Sequence, residues 1–294
     1  NNFFDIINLM TNTKNILFVM KVATDMSKKN SLVLESLSED DGLSEEEIQK
    51  LLLYNKKVVC PVCDNNFNAR AIKKSSYRVL KKDSDFFIRY SIINPYFYDV
   101  WVCDECGYSA MKSDFEHLSD YDADIIRKKI SPKWKIKNYP EVYDIDLAIT
   151  RYKLSLLNYY VINAKSSKKA MNSLKIAWMY RLKEDQKKEM EFLNQALENF
   201  QNAYYNESSP IYGMDKFTTM YLIGELMRRT GREEDSLIWF SEVITSTMAS
   251  QKIKNLARDQ KDLIKDVTTE TEGKKLTDES NDNKKHGLFF KFHK

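Results

Sequence analysis

Apolar residues recur along this chain with two different periods. From about residue 144 onward they return every three to four positions, the spacing of one helical face. That predicts helices at Asp144–Asn163, Ser167–Leu182, Asp185–Tyr205, Asp215–Arg229, Glu233–Met248 and Gln251–Asp266. Gly213 and Gly231 punctuate the turns, no proline falls inside any of the six, and the short joins imply antiparallel neighbours. Between Lys57 and Val102 the runs are shorter, rich in Val, Ile, Tyr and Phe and broken by Asn, Ser and Asp. They predict strands at Lys57–Cys60, Asn68–Lys73, Tyr77–Lys82, Phe86–Tyr90 and Tyr98–Val102. In the last of these, Tyr98, Val100 and Val102 share one face, with Asp99 and Trp101 on the other. Ser44 and Glu47 form a capping box, which starts a short acidic helix at 45–54. Ser131-Pro132 and Tyr139-Pro140 bracket a linker, because the residue before proline leaves helical space.

Composition agrees with this division. The chain has 294 residues, 43% hydrophobic and 30% charged, with only seven glycines and five prolines, which favours helix over a turn-rich all-β fold. A net charge of +3 on so many charged groups is nearly balanced, so no global field calls for nucleic acid or membrane. The apolar stretch 15–20 is far shorter than a membrane span and has no small-residue cleavage site after it, so the expected location is cytoplasmic, without membrane.

The only four cysteines stand as Cys60-Pro-Val-Cys63 and Cys103-Asp-Glu-Cys106, separated by a 39-residue insert. Two C-x-x-C pairs can turn four sulfurs toward one point, as a tetrahedral ion requires. Disulfides want an oxidising compartment, and a thioredoxin-like dithiol wants one such pair at a strand-to-helix junction. Cys60, Cys63, Cys103 and Cys106 are therefore expected to hold a structural Zn2+. Four thiolates leave no open position for substrate or activated water, so zinc here supplies folding energy. His117 lies near the second pair, but four cysteines already complete the ion.

Cys60-Pro-Val-Cys63, Arg78, Asp83-Ser-Asp85, Tyr90, Ile93-Asn94-Pro95, Tyr98-Asp-Val100 and Cys103-x-x-Cys106-Gly107-Tyr108 resemble the bacterial "domain of unknown function 2225" family. The likeness continues through Tyr152-Lys-Leu154, Ala177-Trp178, Gly213-Met-Asp215 and Gly231-Arg232 and covers roughly residues 55–265. Asp104 stands where the family pattern leads one to expect proline, which touches only the geometry of the second turn. The resemblance implies a fold and supplies no activity. Arg78, Asp83, Asp85, Asn94 and Tyr98 match its pattern without being metal ligands, and they form a candidate polar site on the ribbon face; the simpler reading is that they hold turns and pair with one another.

The expected fold is therefore α+β. A leader over 1–54 is followed by a small four-cysteine zinc-ribbon-like β module at 55–130, a linker at 131–143, an all-α tetratricopeptide-like helical domain at 144–267 and a tail at 268–294. The repeat-like reading rests on small and large positions: Gly224, Ser236 and Phe240 in one helix pair, Ala177, Ala196 and Phe200 in the other. In tetratricopeptide domains the first helix of each pair lines a concave face. This places Leu174, Trp178 and Arg181 beside Tyr221, Glu225 and Arg228, so Trp178, Arg181, Tyr221 and Arg228 form a candidate peptide groove. Paired guanidinium groups favour an acidic or C-terminal carboxylate segment.

No phosphate-binding glycine loop, nucleophile elbow or H-E-x-x-H helix is present, and three histidines leave few triad candidates. The expectation is a protein-protein interaction adaptor rather than an enzyme. The alternative is nucleic-acid binding through the ribbon, with Tyr96, Phe97 and Trp101 available to stack. Ten Lys and Arg against six Asp and Glu over residues 56–112 give +4, which a tetrathiolate zinc of −2 reduces to +2, a weak footprint.

Overall fold

The computed structural model describes residues 44–73 and 76–266; the expected leader up to residue 43 and the tail from 268 lie outside them. Helix α1 (Glu45–Leu51) opens on the capping box: Ser44 Oγ accepts from Glu47 N, and Glu47 reaches back to Ser44 N at 2.8 Å. Three antiparallel strand pairs follow. β1 (Leu53–Val59) pairs with β2 (Asn66–Ile72), β3 (Arg78–Lys82) with β4 (Ile88–Ser91), and β5 (Val100–Val102) with β6 (Ser109–Met111). Register is set by Leu53 opposite Ile72, Arg78 opposite Ser91 and Val100 opposite Met111.

Helix α2 (Asp120–Lys129) and then α3 (Ile145–Val161), α4 (Ser166–Leu182), α5 (Gln186–Asn206), α6 (Lys216–Arg229), α7 (Glu233–Thr245) and a helix α8 over 251–266 complete the described chain. The fold is α+β, with small antiparallel pairs in the first half and helices in the second. Among the described residues no helix is long and apolar enough to cross a membrane. Strand β6 and helix α2 were not legible in the pattern of apolar positions. The three residues of β6 are too few to display a period, and α2 buries only Ala123 and Ile126 on an otherwise charged helix.

The chain forms two compact units. Among the described residues, one comprises those up to Asp83 together with Phe87–Ile162; the other comprises Ser84–Phe86 and those from Asn163. The boundary therefore differs from the expected one at 131–143, since α3 packs on β5 and β6. The reason lies in its buried face, which carries Arg151, Tyr152 and Tyr159. Arg151 Nη2 donates to Val100 O at 2.8 Å and Tyr152 Oη to Tyr96 O at 2.9 Å. Tyr159 Oη accepts from Met111 N at 3.1 Å and donates to Asp114 Oδ2 at 2.7 Å. Strands of three residues make too few ladder bonds to stand alone, so the helix covers them and satisfies their outward backbone groups. Nor is the expected linker unstructured: it holds a 3-10 turn at Ser131–Lys133, and Tyr143 stacks on Tyr98 at 4.7 Å.

In the second unit α4 packs along α5, α5 against α6 and α6 against α7. α5 shows why: Phe192, Leu193, Ala196, Leu197, Phe200 and Ala203 fall on one stripe and are all buried. Gly224 of α6 lies under α7, where an added Cβ would stand 2.9 Å from the Phe240 ring. Met220, Tyr221, Phe240, Val243, Ile253 and Ala257 form the core there, and Phe86 packs against it.

Candidate functional site

The two C-x-x-C segments are the same turn used twice. Asp64 N donates to Cys60 O at 2.9 Å, as Gly107 N does to Cys103 O at 3.0 Å. Cys60 N donates to Asn65 O at 2.9 Å, as Cys103 N does to Tyr108 O at 2.8 Å. The residue after each second cysteine has positive φ, +57° at Asp64 and +76° at Gly107. Aspartate tolerates that region, but at position 107 only glycine fits, because a Cβ would stand 2.5 Å from the Trp134 ring. Asp104 in place of proline leaves this geometry intact.

These turns bring four sulfurs within 4.8 Å of one another, with Cys60 to Cys106 and Cys63 to Cys103 at 3.6 Å. Cys60 and Cys103 are fully buried and Cys106 nearly so. Val62 N points at Cys60 Sγ from 3.4 Å and Asn65 Nδ2 approaches Cys103 Sγ at 4.0 Å. Such donors stabilise thiolate over thiol. Left to themselves the sulfurs do not all ionise: contact with Cys103 pushes Cys60 up to about 12 and raises Cys106, while hydrogen bonds from Cys106 and Cys60 hold Cys103 down at about 2. A soft cation at the centre removes that conflict by taking all four as thiolates. The set fits a metal ion. His117 is exposed and outside the cluster.

The second arrangement belongs to the helical unit. Asp85 is fully buried, and its carboxylate is clamped by Arg181, Nη1 to Oδ1 at 3.0 Å and Nη2 to Oδ2 at 2.6 Å. Trp178 Nε1 donates to Oδ2 at 2.9 Å, and Arg229 Nη2 lies 3.8 Å from Oδ1. Arg181 also pairs with Glu189 through Nε at 2.6 Å. Beside it Glu225, also fully buried, accepts from Ser84 Oγ at 2.6 Å, from Arg228 Nε at 2.8 Å and from Arg229 Nε at 2.7 Å. Tyr221 Oη donates to Ser84 O at 2.9 Å, and its ring packs on Phe86 at 5.5 Å. Asp85, Glu189 and Glu225 thus balance Arg181, Arg228 and Arg229. Burial alone would raise Asp85, but the Arg181 and Arg229 charges and the Trp178 hydrogen bond hold it below the usual carboxylate range.

Of the expected groove residues, Trp178 and Arg181 bond to Asp85, Tyr221 bonds to Ser84, and Arg228 pairs with Glu225, so the tripeptide Ser84–Phe86 of the same chain occupies the place beside them. The five residues of the candidate polar site on the ribbon face do not form one. Asp85 lies in the helical unit, while Asp83 pairs with Arg89 at 3.1 Å and Arg78 is exposed on β3. Asn94 caps a 3-10 turn by accepting from Tyr96 N at 3.0 Å, and buried Tyr98 accepts from Tyr143 N at 2.9 Å. Asp83 and Asp85 part at the tight turn between β3 and β4, where Phe86 has φ +70°. Of the aromatics offered for stacking, Trp101 is buried against Phe115 and Tyr96 packs on Phe87 and Tyr90. Ser84, Glu189 and Arg229 were missed. The Arg228-Arg229 doublet was visible, but which of the two faces inward depends on helical phase.

An uncharacterized protein of Borreliella burgdorferi is 23% identical over 184 residues, a match covering 56% of this chain and 64% of that protein. No solved structure matches. The family described as "Uncharacterized protein conserved in bacteria (DUF2225)" matches residues 53–264, a span running from the start of β1 through both C-x-x-C turns into α8. The chain belongs to this DUF2225 family of bacteria.

Proposed function

We propose that this protein is a zinc-holding adaptor whose helical unit binds acidic protein segments, without catalysis of its own. Two parts support the reading. A tetrahedron of thiolates with metal–sulfur bonds of about 2.3 Å has sulfurs about 3.8 Å apart, and Cys60–Cys106 and Cys63–Cys103 here stand at 3.6 Å. A site closed by four cysteines serves structure, so function is sought elsewhere.

The observation that carries the adaptor role is the Asp85 clamp. A bidentate guanidinium, an indole N–H and an aromatic floor at Tyr221 are the chemistry that recognises an acidic residue followed by an aromatic one, and the chain supplies such a segment itself. A tethered segment competes at an effective concentration in the millimolar range. A partner therefore replaces Ser84–Phe86 only with a better-matched or multivalent acidic segment.

The test uses the full chain and a labelled peptide of residues 82–88. The Asp85→Ala chain, whose clamp is emptied, binds this peptide saturably; the native chain binds it at least about tenfold more weakly, and a peptide with alanine in place of Asp85 binds neither. An Asp85→Ala chain that is folded and ignores the peptide overturns the reading.

A further inference from the structure

The first unit holds a cleft of about 460 Å³ between β2 and the segment 137–143, and Arg151 lines it. Arg151 is 3% exposed, yet it has no acidic partner among the described residues. It makes one hydrogen bond, to Val100 O, out of the five its fork could donate, and its Nε has none. Tyr139 and Tyr143 lie over the guanidinium at 5.0 and 4.7 Å, and the Tyr139 hydroxyl is likewise buried without a partner. Two ring faces return only part of the hydration that a buried cation gives up. Buried Arg181, by contrast, meets two carboxylates. Burial holds the Arg151 guanidinium below its usual range, as expected of a cation missing its counter-ion.

We propose that this cleft is a binding site for a small monocarboxylate, with Arg151 as its anion-holding group and the Tyr139 hydroxyl as a second donor. The volume is that of a small-molecule pocket. Lining charge decides the class of anion. Arg70, Lys137 and Arg151 face Asp104 and Glu141, three cations against two carboxylates, a net of +1. One negative charge balances the site, whereas a phosphate dianion would leave it over-neutralised beside two existing carboxylates. Arg70 is already engaged by Glu141 at 3.2 Å and by Asn55 at 2.8 Å, which leaves Arg151 as the spare fork.

Calorimetric titration of the full chain with benzoate, acetate and inorganic phosphate tests this. Benzoate or acetate binds saturably at one site, and phosphate binds at least about tenfold more weakly. Arg151→Met weakens the carboxylate about 10- to 100-fold, the loss of one charge-assisted pair, while Arg151→Lys retains part of it. Lys137→Ala, at an exposed position, weakens it a few-fold through charge alone and keeps the test decisive if the Arg151 variants do not fold. No saturable binding of either carboxylate overturns the proposal, as does equal affinity in Arg151→Met. Phosphate binding as tightly as benzoate overturns the assignment to a monocarboxylate.

Discussion

At the scale of single residues the informative position is Asp85, because an acidic residue in a turn would ordinarily be solvated. Its complete burial is possible only with both oxygens paired, and Arg181, Trp178 and Arg229 supply that pairing. Removing one partner from a buried pair costs about 3–5 kcal/mol, since the other charge is left uncompensated. Asp85→Ala is accordingly expected to lower stability by that amount in denaturant titration; a change below about 1 kcal/mol would mean the clamp is open in solution. The same logic revises what the groove arginines do. Arg181→Glu with Arg228→Glu adds two carboxylates to Asp85, Glu189 and Glu225 and leaves Arg229 alone to balance them. This double variant is expected to unfold the helical unit rather than merely abolish partner binding, as circular dichroism would report. pH enters with a definite sign. The folded Asp85 carboxyl sits below its unfolded value near 4, so its stabilisation is present at neutral pH and is lost as pH falls below about 4 through the folded value. Asp85→Asn removes this acid-dependent part, and acid unfolding curves of the native chain and of this variant check it.

At the scale of elements, the two cysteine turns and helix α3 carry the first unit. Each turn is closed by its own backbone hydrogen bonds, but nothing in either turn alone brings the four sulfurs together. A metal ion bound by all four would hold them there, so Cys103→Ser is expected to lose metal and loosen β5 and β6. Elemental analysis of the native chain should find one zinc per chain, and none in the variant. Binding displaces protons from the raised Cys60 and Cys106 thiols, so metal affinity falls as pH is lowered. Helix α3 makes a separate prediction. Tyr159→Phe deprives the buried Met111 N–H of the hydroxyl that accepts from it and removes one donor to Asp114, and should cost about 1–3 kcal/mol. An unaltered unfolding midpoint would show that water replaces the hydroxyl.

For the whole molecule, the division into units does not follow chain order, since three residues from the cysteine-flanked insert belong with the helices. A fragment of residues 163–266 therefore leaves Arg181 and Arg229 facing an empty place. It is expected to be less stable than the same helices in the full chain, and to gain stability on adding the 82–88 peptide by mass action. A fragment with full stability and no response to the peptide would show that Ser84–Phe86 is dispensable.

Periodicity sufficed for α3 to α8 to within three residues, because helices of thirteen to twenty-one residues repeat their buried stripe several times. Spacing alone named the four sulfurs that come together, because within each C-x-x-C the chain has few ways to place two sulfurs other than side by side. The four residues of the expected peptide groove lie around the chain's own Ser84–Phe86. Trp178, Arg181, Tyr221 and Arg228 share a helical phase that local pattern reveals, whereas the distance in sequence from Asp85 to Arg181 leaves no local trace. For the same reason the sequence assigned α3 to the helices that follow it. Which neighbour a helix joins depends on what its buried face must satisfy, and here the unpaired backbone groups of β5 and β6 decided it. Arg151 was invisible for a further reason: an arginine reads as a solvated charge until the fold closes two tyrosine rings over it. Local chemistry is written in neighbouring residues, and the pairing of buried charges is settled only where the chain returns on itself.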